Sequence, residues 1–510
     1  MEDIILNRLG YPILSITIFL PLAGALLISL LRNAYAIRWT ALLTTFATLV
    51  VSLPLYIHFD KTTYKMQFVE SYPWIPAWNL NYTVGVDGIS ILFVLLSALI
   101  GMLCVLASWK AIQEKVKLFY MAILLMETAM TGVFAAMDLF LFYILWEAML
   151  VPMFLLIGIW GGSNRVYAAI KFVLFTLAGS VLMLVGIIAL YYAGGGTFDI
   201  LALAKAHYPV NLQIWLFLAF FAAFAVKVPM FPLHTWLPDA HTEAPTAGSV
   251  ILAGILLKMG AYGFLRFSMP MFPDAVKIFF MPMLILSLIA IVYGAFVTLM
   301  QKDIKRLIAY SSVSHMGFVT LGLFSLNQTG MEGGIFQMIN HGIVTGALFT
   351  CIGVIYERTH TRIIEDYGGL ARAVPIFTVF FTIFALAGSG FPGTNSFMGE
   401  FLILSGAFKT KMAMGAISIM GVILGVAYMV WLYYRIFLFD VNPKVKEHLR
   451  DMGMREALML VPLVFLVFYL GMQPSVLISY MQASVQHLLD RFGAGGQEIT
   501  AVKGIIEVLK

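Results

Sequence analysis

Four ionisable side chains stand where membrane-spanning segments ought to be apolar: Glu147 in LFYILWEAMLVPMF, Lys227 in FAVKVPMFP, Lys258 in GILLKMG and Glu400 in GFPGTNSFMGE. Charge near the middle of hydrocarbon is expensive, so such residues face a bundle interior or a hydrated path, and they mark ion routes. Amines and carboxyls can hand protons on when neighbouring charge changes. Glu147 has apolar neighbours for a turn on each side. A buried carboxylate needs a cation, and Lys227 is the natural partner. Separation of that pair would let a proton move on; a static helix–helix pair is the plainer alternative. Lys258 lies a few turns into its span, beyond snorkelling reach, and a buried lysine suits a relay that takes and releases a proton. Glu400 answers to the same argument at the far end.

The histidines add candidates. His234 and His241 are seven apart and share a face only if a helix runs through Pro238. His315 in YSSVSHMG and His341 in QMINHGIVTGALF fall among Ser, Thr and Asn, whose side chains could hold bridging waters. Imidazole suits proton transfer near neutrality, but each of the four also reads as a satisfied core residue. His315 and His341 could instead pair as axial haem ligands. Glu127 in LLMETAM either joins the Glu147 region or braces its own helix. Asp87 in VGVDGIS reads as a helix cap, and Asp239 and Glu243 as surface or gate residues.

These side chains must be positioned by helices in a bilayer. The 510 residues are 61% hydrophobic and 11% charged, against about 25% charged in soluble domains. The fold class is an all-α polytopic membrane protein. Apolar runs long enough to span about 30 Å of hydrocarbon begin at Tyr11, Ile37, Val84, Leu118, Leu139, Val166, Leu212, Ala247 and Val276. Further runs begin near Arg306, Gly334, Val374, Met414 and Ala457, which makes about fourteen transmembrane helices. Two of them are broken. Pro229 and Pro232 follow Lys227, freeing the carbonyls of Ala225 and Val228, and Gly388-Ser389-Gly390-Phe391-Pro392-Gly393 interrupts the run that leads to Glu400. Freed carbonyls survive in hydrocarbon only where protein or trapped water satisfies them. The two breaks lie some five spans apart, an odd number, so the second copy enters the membrane from the opposite face. That pattern predicts inverted repeats with sites near the midplane.

The expected divisions are 1–117 (first helices and an external loop), 118–273 (first repeat), 274–440 (second repeat) and 441–510 (last helix and tail). Basic residues cluster in alternate connections: Arg32 and Arg38; Lys110, Lys115 and Lys117; Arg165; Lys302, Lys305 and Arg306; Arg358 and Arg362; Lys444, Lys446 and Arg450. The positive-inside rule puts these in the cytoplasm and both termini outside. The loop 58–82 reads as external with short strands, and Gln482–Lys510 as an amphipathic surface segment. No basic stretch precedes the run from Tyr11, so no leader peptide is expected. Cys104 and Cys351 have no metal-ligand spacing, no GxGxxG or Walker pattern is present, and the basic excess is topological rather than a sign of nucleic acid.

Three stretches, WLPDAHTEAPTAGSVILAGILLKMGAYG (Trp236–Gly263), KRLIAYSSVSHMGF and GFPGTNSFMGEFL, resemble the signatures of the antiporter-like subunits of respiratory complex I. That superfamily is shared with Mrp cation/proton antiporters and membrane-bound hydrogenases, and the resemblance covers nearly the whole chain. Glu400 in place of a lysine, and a chain that stops soon after the fourteenth span without a long lateral helix, resemble the M-like branch (mitochondrial chain 4). The resemblance implies that Glu147 and Lys227 form an intake pair, Lys258 a central relay and Glu400 an exit residue, joined through His315 and His341. His234 and His241 remain relay candidates. It further implies no cofactor in this chain, with NADH, FMN, iron–sulfur clusters and quinone used in other subunits. The implied partners are L-like, N-like and small membrane-arm subunits in a bacterial inner membrane. A Mrp-type sodium/proton antiporter is the main alternative. Sodium sites want clustered oxygens, whereas this axis is rich in Lys and His. A membrane-bound hydrogenase or photosynthetic complex I homologue, or a mere spacer subunit, are the others.

Overall fold

The structure is a computed structural model that describes residues 3–7 and 9–493. Among these, 13 helices are long and apolar enough to cross a membrane, from Ile13–Leu30 to Met454–Met472. The interrupted pair Pro375–Gly388 and Asn395–Thr410 makes up the remaining run. Helices are required here because no water is present in hydrocarbon to satisfy exposed backbone groups. Where they begin, short polar side chains cap free N–H groups: Asn33 accepts from Tyr35 and Ala36, and Asp138 from Phe140 and Leu141.

Two spans form the centre. Thr246–Met271 and Gln328–Thr359 are buried over their whole apolar windows, whereas Ala34–Ile57 and Arg165–Ala193 are only 33% and 39% buried. A polar residue on either central helix is therefore held by protein rather than by lipid. The expected strands of the 58–82 loop are present: Met66–Ile75 pairs antiparallel with Leu80–Val86, and Ile4–Leu6 adds a short parallel strand. This sheet sits at the bundle end opposite the basic connections. Of the segment Gln482–Lys510, residues 482–490 belong to the helix Ser475–Asp490, and residues 494–510 lie outside the described residues.

Both expected breaks occur. The first helix stops at Lys227, and Trp236–Glu243 resumes after a turn. Its loosened carbonyls are recaptured by protein: Met230 N–H donates to Ala225 O at 2.8 Å, and the Trp236 indole donates to Val226 O at 2.9 Å. The second break turns through Gly390 and Gly393, at φ 69° and 89°, a region that costs other residues strain.

Two further irregularities were not expected. The Glu147 span stops at Ala148 and restarts at Leu150. Pro152 explains this, because it has no N–H to offer the Ala148 carbonyl. The Lys258 span carries two stretches of wider, π-type turns, Leu252–Leu256 and Phe264–Ser268, on either side of the lysine. Such turns leave backbone carbonyls free and recur at functional sites.

Candidate proton path

Lys258 lies near the middle of the 26-residue span Thr246–Met271 and is 0% exposed. Its ammonium group donates to the Ala253 carbonyl, which belongs to the first π-type stretch, and lies 2.6 Å from His341 Nδ1. His341 comes from the buried helix Gln328–Thr359, and its ring centroid is 5.8 Å from that of His315. His315 in turn places Nδ1 3.1 Å from Glu400 Oε1 and Nε2 3.3 Å from the Tyr428 hydroxyl. The Gln337 amide donates to the same Glu400 oxygen at 3.3 Å. Glu400 Oε2 reaches back across the second break, where a Cβ on Gly390 would stand 2.8 Å from it. Four residues from four separate helices thus form one file: Lys258, His341, His315, Glu400. All are buried, and the sole step without a direct hydrogen bond is the one between the two imidazoles. A file of this kind can pass protons through alternating amine, imidazole and carboxyl groups.

Both nitrogens of His315 are engaged by Glu400 and Tyr428, and His341 Nδ1 by Lys258 while its Nε2 has no partner among the described residues, an arrangement that suits a hydrogen-bonded file better than an axial haem pair.

Glu147 and Lys227 are arranged differently from the closed pair expected of them. They are close enough to interact through space, but no ion pair joins them. Among the described residues, Glu147 Oε1 and Lys227 Nζ have no hydrogen-bond partner. The lysine instead lies over the rings of Trp146 and Phe172, at 5.1 and 5.7 Å. A desolvated cation over an indole gains about 2 kcal/mol, which offsets only part of the cost of burying the ammonium. The pair is open. The Lys227 helix packs tightly on the Lys258 helix at Gly260, where a Cβ would come within 2.7 Å of Phe224 O and 2.9 Å of Lys227 Cβ.

His234 and His241 do not share a face. His234 precedes the helix Trp236–Glu243 and stacks on Phe231, 5.8 Å away, with Tyr293 edge-on at 5.4 Å. Pro238 falls in the first turn of that helix, where the missing N–H is harmless. His241 is fully buried and stacked 4.8 Å from Phe349, and it lies within electrostatic reach of Lys305 and Lys258. Neither of its ring nitrogens has a hydrogen-bond partner among the described residues.

Several residues gain weight from the structure. Glu243, expected as a surface or gate residue, is 7% exposed and faces Arg362 at 3.7 Å. Lys305 is 4% exposed and donates to Ala244 O at 2.6 Å. Both line a cavity of about 380 Å³ at the basic end of the bundle, shared with Lys110 and Arg362. Asp239 does lie near the surface, 2.6 Å from Lys171. Asp87 caps a helix as expected, but it also pairs with Arg266 at 2.6 Å. Glu127 faces Gly101 rather than a cation, and neither of its carboxyl oxygens has a partner among the described residues. A signal for Lys305 existed in its place just before an apolar run, but sequence alone reads such a lysine as a loop charge.

A family model described as NADH:quinone oxidoreductase/Mrp antiporter, transmembrane, matches residues 136–426. The NADH-quinone oxidoreductase subunit M of Rhodobacter capsulatus is 48% identical over 504 residues, covering 94% of this chain and 97% of that protein. The chain belongs to this family of antiporter-like subunits. A chain of respiratory complex I from Thermus thermophilus superposes with a TM-score of 0.84 at 33% identity, covering 93% of this chain and 99% of that one. A chain of the Mrp complex from Dietzia sp. DQ12-45-1b reaches the same TM-score at 20% identity, covering 94% and 97%. At that identity the Mrp likeness speaks for the fold alone. An antiporter-like subunit with curated relatives named subunit M or chain 4 agrees with the sequence resemblance drawn from Glu400. The matched region holds Glu147, Lys227, Lys258, His315, His341 and Glu400.

Proposed function

We propose that this chain is a proton-translocating membrane-arm subunit of an NADH:quinone oxidoreductase, driven by quinone reduction in other subunits. The observation that carries the reading is the buried file Lys258–His341–His315–Glu400, which joins the middle of one central helix to the second broken helix. On this reading Glu147 and Lys227 are the intake couple, and their open arrangement is the state in which Lys227 can yield its proton. The cavity beside Glu243 and Lys305 admits water from the cytoplasmic side, where the positive-inside rule puts the basic connections. The proton then rests on Lys258 and passes through the imidazoles to Glu400, which releases it outside. Residues 118–273 and 274–440 act as two inverted repeats, each supplying one broken helix.

The chain itself supplies no redox group to this scheme. NADH, FMN, iron–sulfur clusters and quinone act in other subunits, with L-like, N-like and small membrane subunits as neighbours in a bacterial cell membrane. Both termini face outside.

In vesicles containing the assembled complex, Lys227→Ala and Glu147→Ala are expected to lower quinone-linked proton pumping and NADH–quinone turnover together. The fall is at least about a hundredfold, the low end of what losing a proton-transferring group costs. A native gel confirms assembly. Unchanged pumping in both variants would make the couple structural. A sodium-dependent pH response with no NADH-linked activity would favour the Mrp-type antiporter.

Glu400→Gln keeps the shape of the side chain and removes the carboxylate. His315 then loses its acidic neighbour, so pumping should fall while assembly holds. Glu400→Asp, which keeps the acid on a shorter arm, should recover part of it. Equal loss in both variants would point to packing rather than proton transfer.

A further inference from the structure

Arg266 lies two turns beyond Lys258 on the same helix, and the proton path above makes no use of it. Eight residues at helical rise place it about 12 Å further along, inside the second π-type stretch, Phe264–Ser268. Its side chain is 14% exposed and places Nη2 2.6 Å from Asp87 Oδ1. Its Nε donates to the Tyr262 hydroxyl at 3.1 Å, and that hydroxyl donates to Phe134 O at 3.1 Å. Tyr262 stands one turn from Lys258 on the same helix, so Arg266, Tyr262 and Asp87 form a polar cluster on the outer side of the relay lysine.

Asp87 is fixed in its turn. Oδ1 accepts the N–H groups of Ile89 and Ser90 at 3.1 and 2.9 Å. At the sheet end of the bundle a cavity of about 90 Å³ is lined by Tyr64, Lys205, His487 and Arg491, and its inner wall is formed by Asp87, Arg266 and Tyr262. The helix Ser475–Asp490 closes tightly over this point. A Cβ on Gly88 would come within 1.8 Å of Tyr480 O, and Gly88 N–H donates to Ser484 Oγ at 3.3 Å.

We propose that the Asp87–Arg266 ion pair is a seal between Lys258 and the outer aqueous side, so that a proton on Lys258 leaves only through His341. This inference rests on the proton path proposed above. A pump needs such a barrier, because protons driven outwards return through any water file that reaches the relay from outside. A fixed guanidinium is an effective barrier: its charge repels protons and cations, as arginines do in selective pores. Tyr262 fixes its Nε, and Asp87 stands against Nη2 as the counter-charge. A simple brace between helices would not need to form the inner wall of a cavity at the outer end of the relay helix.

The seal is tested by proton leak, measured without NADH as the collapse of an imposed pH gradient across vesicles holding the assembled complex. Arg266→Gln is expected to leak, and during NADH oxidation to lose its pH gradient and its respiratory control while turnover continues. Assembled Arg266→Gln with a wild-type, tight membrane would overturn the proposal. Because that variant leaves Asp87 buried without its cation, Asp87→Asn/Arg266→Gln, which removes both charges, is the companion and is expected to leak equally. Adding Lys258→Met should close the leak; a leak that persists would mean that the pair does not guard Lys258. The proton path has a separate failure: Lys258→Met with normal NADH-driven pumping overturns that path, whereas a tight Arg266→Gln membrane overturns the seal.

Discussion

Lys258→Met is expected to lower proton pumping and quinone-linked NADH oxidation together, by about a hundredfold, in a complex that still assembles. The lysine is 0% exposed, and its ammonium group is held by the Ala253 carbonyl and His341. Methionine fills nearly the same volume with a flexible apolar chain. The structural loss is then two hydrogen bonds, about 1–3 kcal/mol for each polar group left without a partner. A central helix packed on all sides can absorb that. The file cannot, because methionine has no proton to pass to His341. Lys258→Arg separates the two meanings of the charge. Arginine keeps a cation at the centre but does not give up its proton in a protein, so it should be as inactive as methionine. If arginine restores turnover, Lys258 is a fixed charge and the relay is wrong. Turnover is read as NADH oxidation with added quinone, and pumping as the pH change in the same vesicles.

Gly260→Val is expected to damage the same function without touching any titratable group. A Cβ at Gly260 meets Phe224 O and Val228 Cγ2 at 2.7 Å and Lys227 Cβ at 2.9 Å. The first of these is backbone and cannot rotate away. Membrane helices use small residues where their backbones approach, and overfilling such a contact costs about 1–3 kcal/mol. The Lys227 helix must therefore shift, which moves Lys227 relative to both Trp146 and Lys258. The expected result is a lower thermal midpoint of the purified complex and reduced pumping in the assembled fraction. Gly346→Ala is the control. There the nearest atoms to a Cβ are side-chain carbons at 3.5 and 3.7 Å, ordinary contacts, so stability and pumping should stay near wild type. Equal effects of the two substitutions would show that the crowding at Gly260 has no special role.

Much of this was open to reading in one dimension. Apolar length fixes how many spans there are, because the bilayer thickness sets a minimum run. Pro229, Pro232 and the glycines at 388–393 fix where two of them break, because a missing N–H or a positive φ is a local property. Pro152 carried the same signal for the Glu147 span. Hydropathy alone hides that break, because the run through Glu147 is continuously apolar around it. The identities of Glu147, Lys227, Lys258, His315, His341 and Glu400 also stood out, since charge within hydrocarbon is conspicuous against any apolar background.

What only the tertiary structure decided is which of these residues meet. Lys258 could have faced Lys227, one packed helix away; it faces His341, 83 residues on in sequence. Glu147 and Lys227 were natural partners by charge, yet Trp146 and Phe172 hold the lysine instead. Lys305 and Glu243 looked like loop charges and are buried, and Asp87 looked like a cap alone and also holds Arg266. The reason is geometric. Hydropathy and backbone breaks are set by each segment against its solvent, whereas a side-chain contact depends on how two helices are rotated and how deeply they sit against one another. The sequence of either helix alone does not carry that rotation; packing at sites such as Gly260 does.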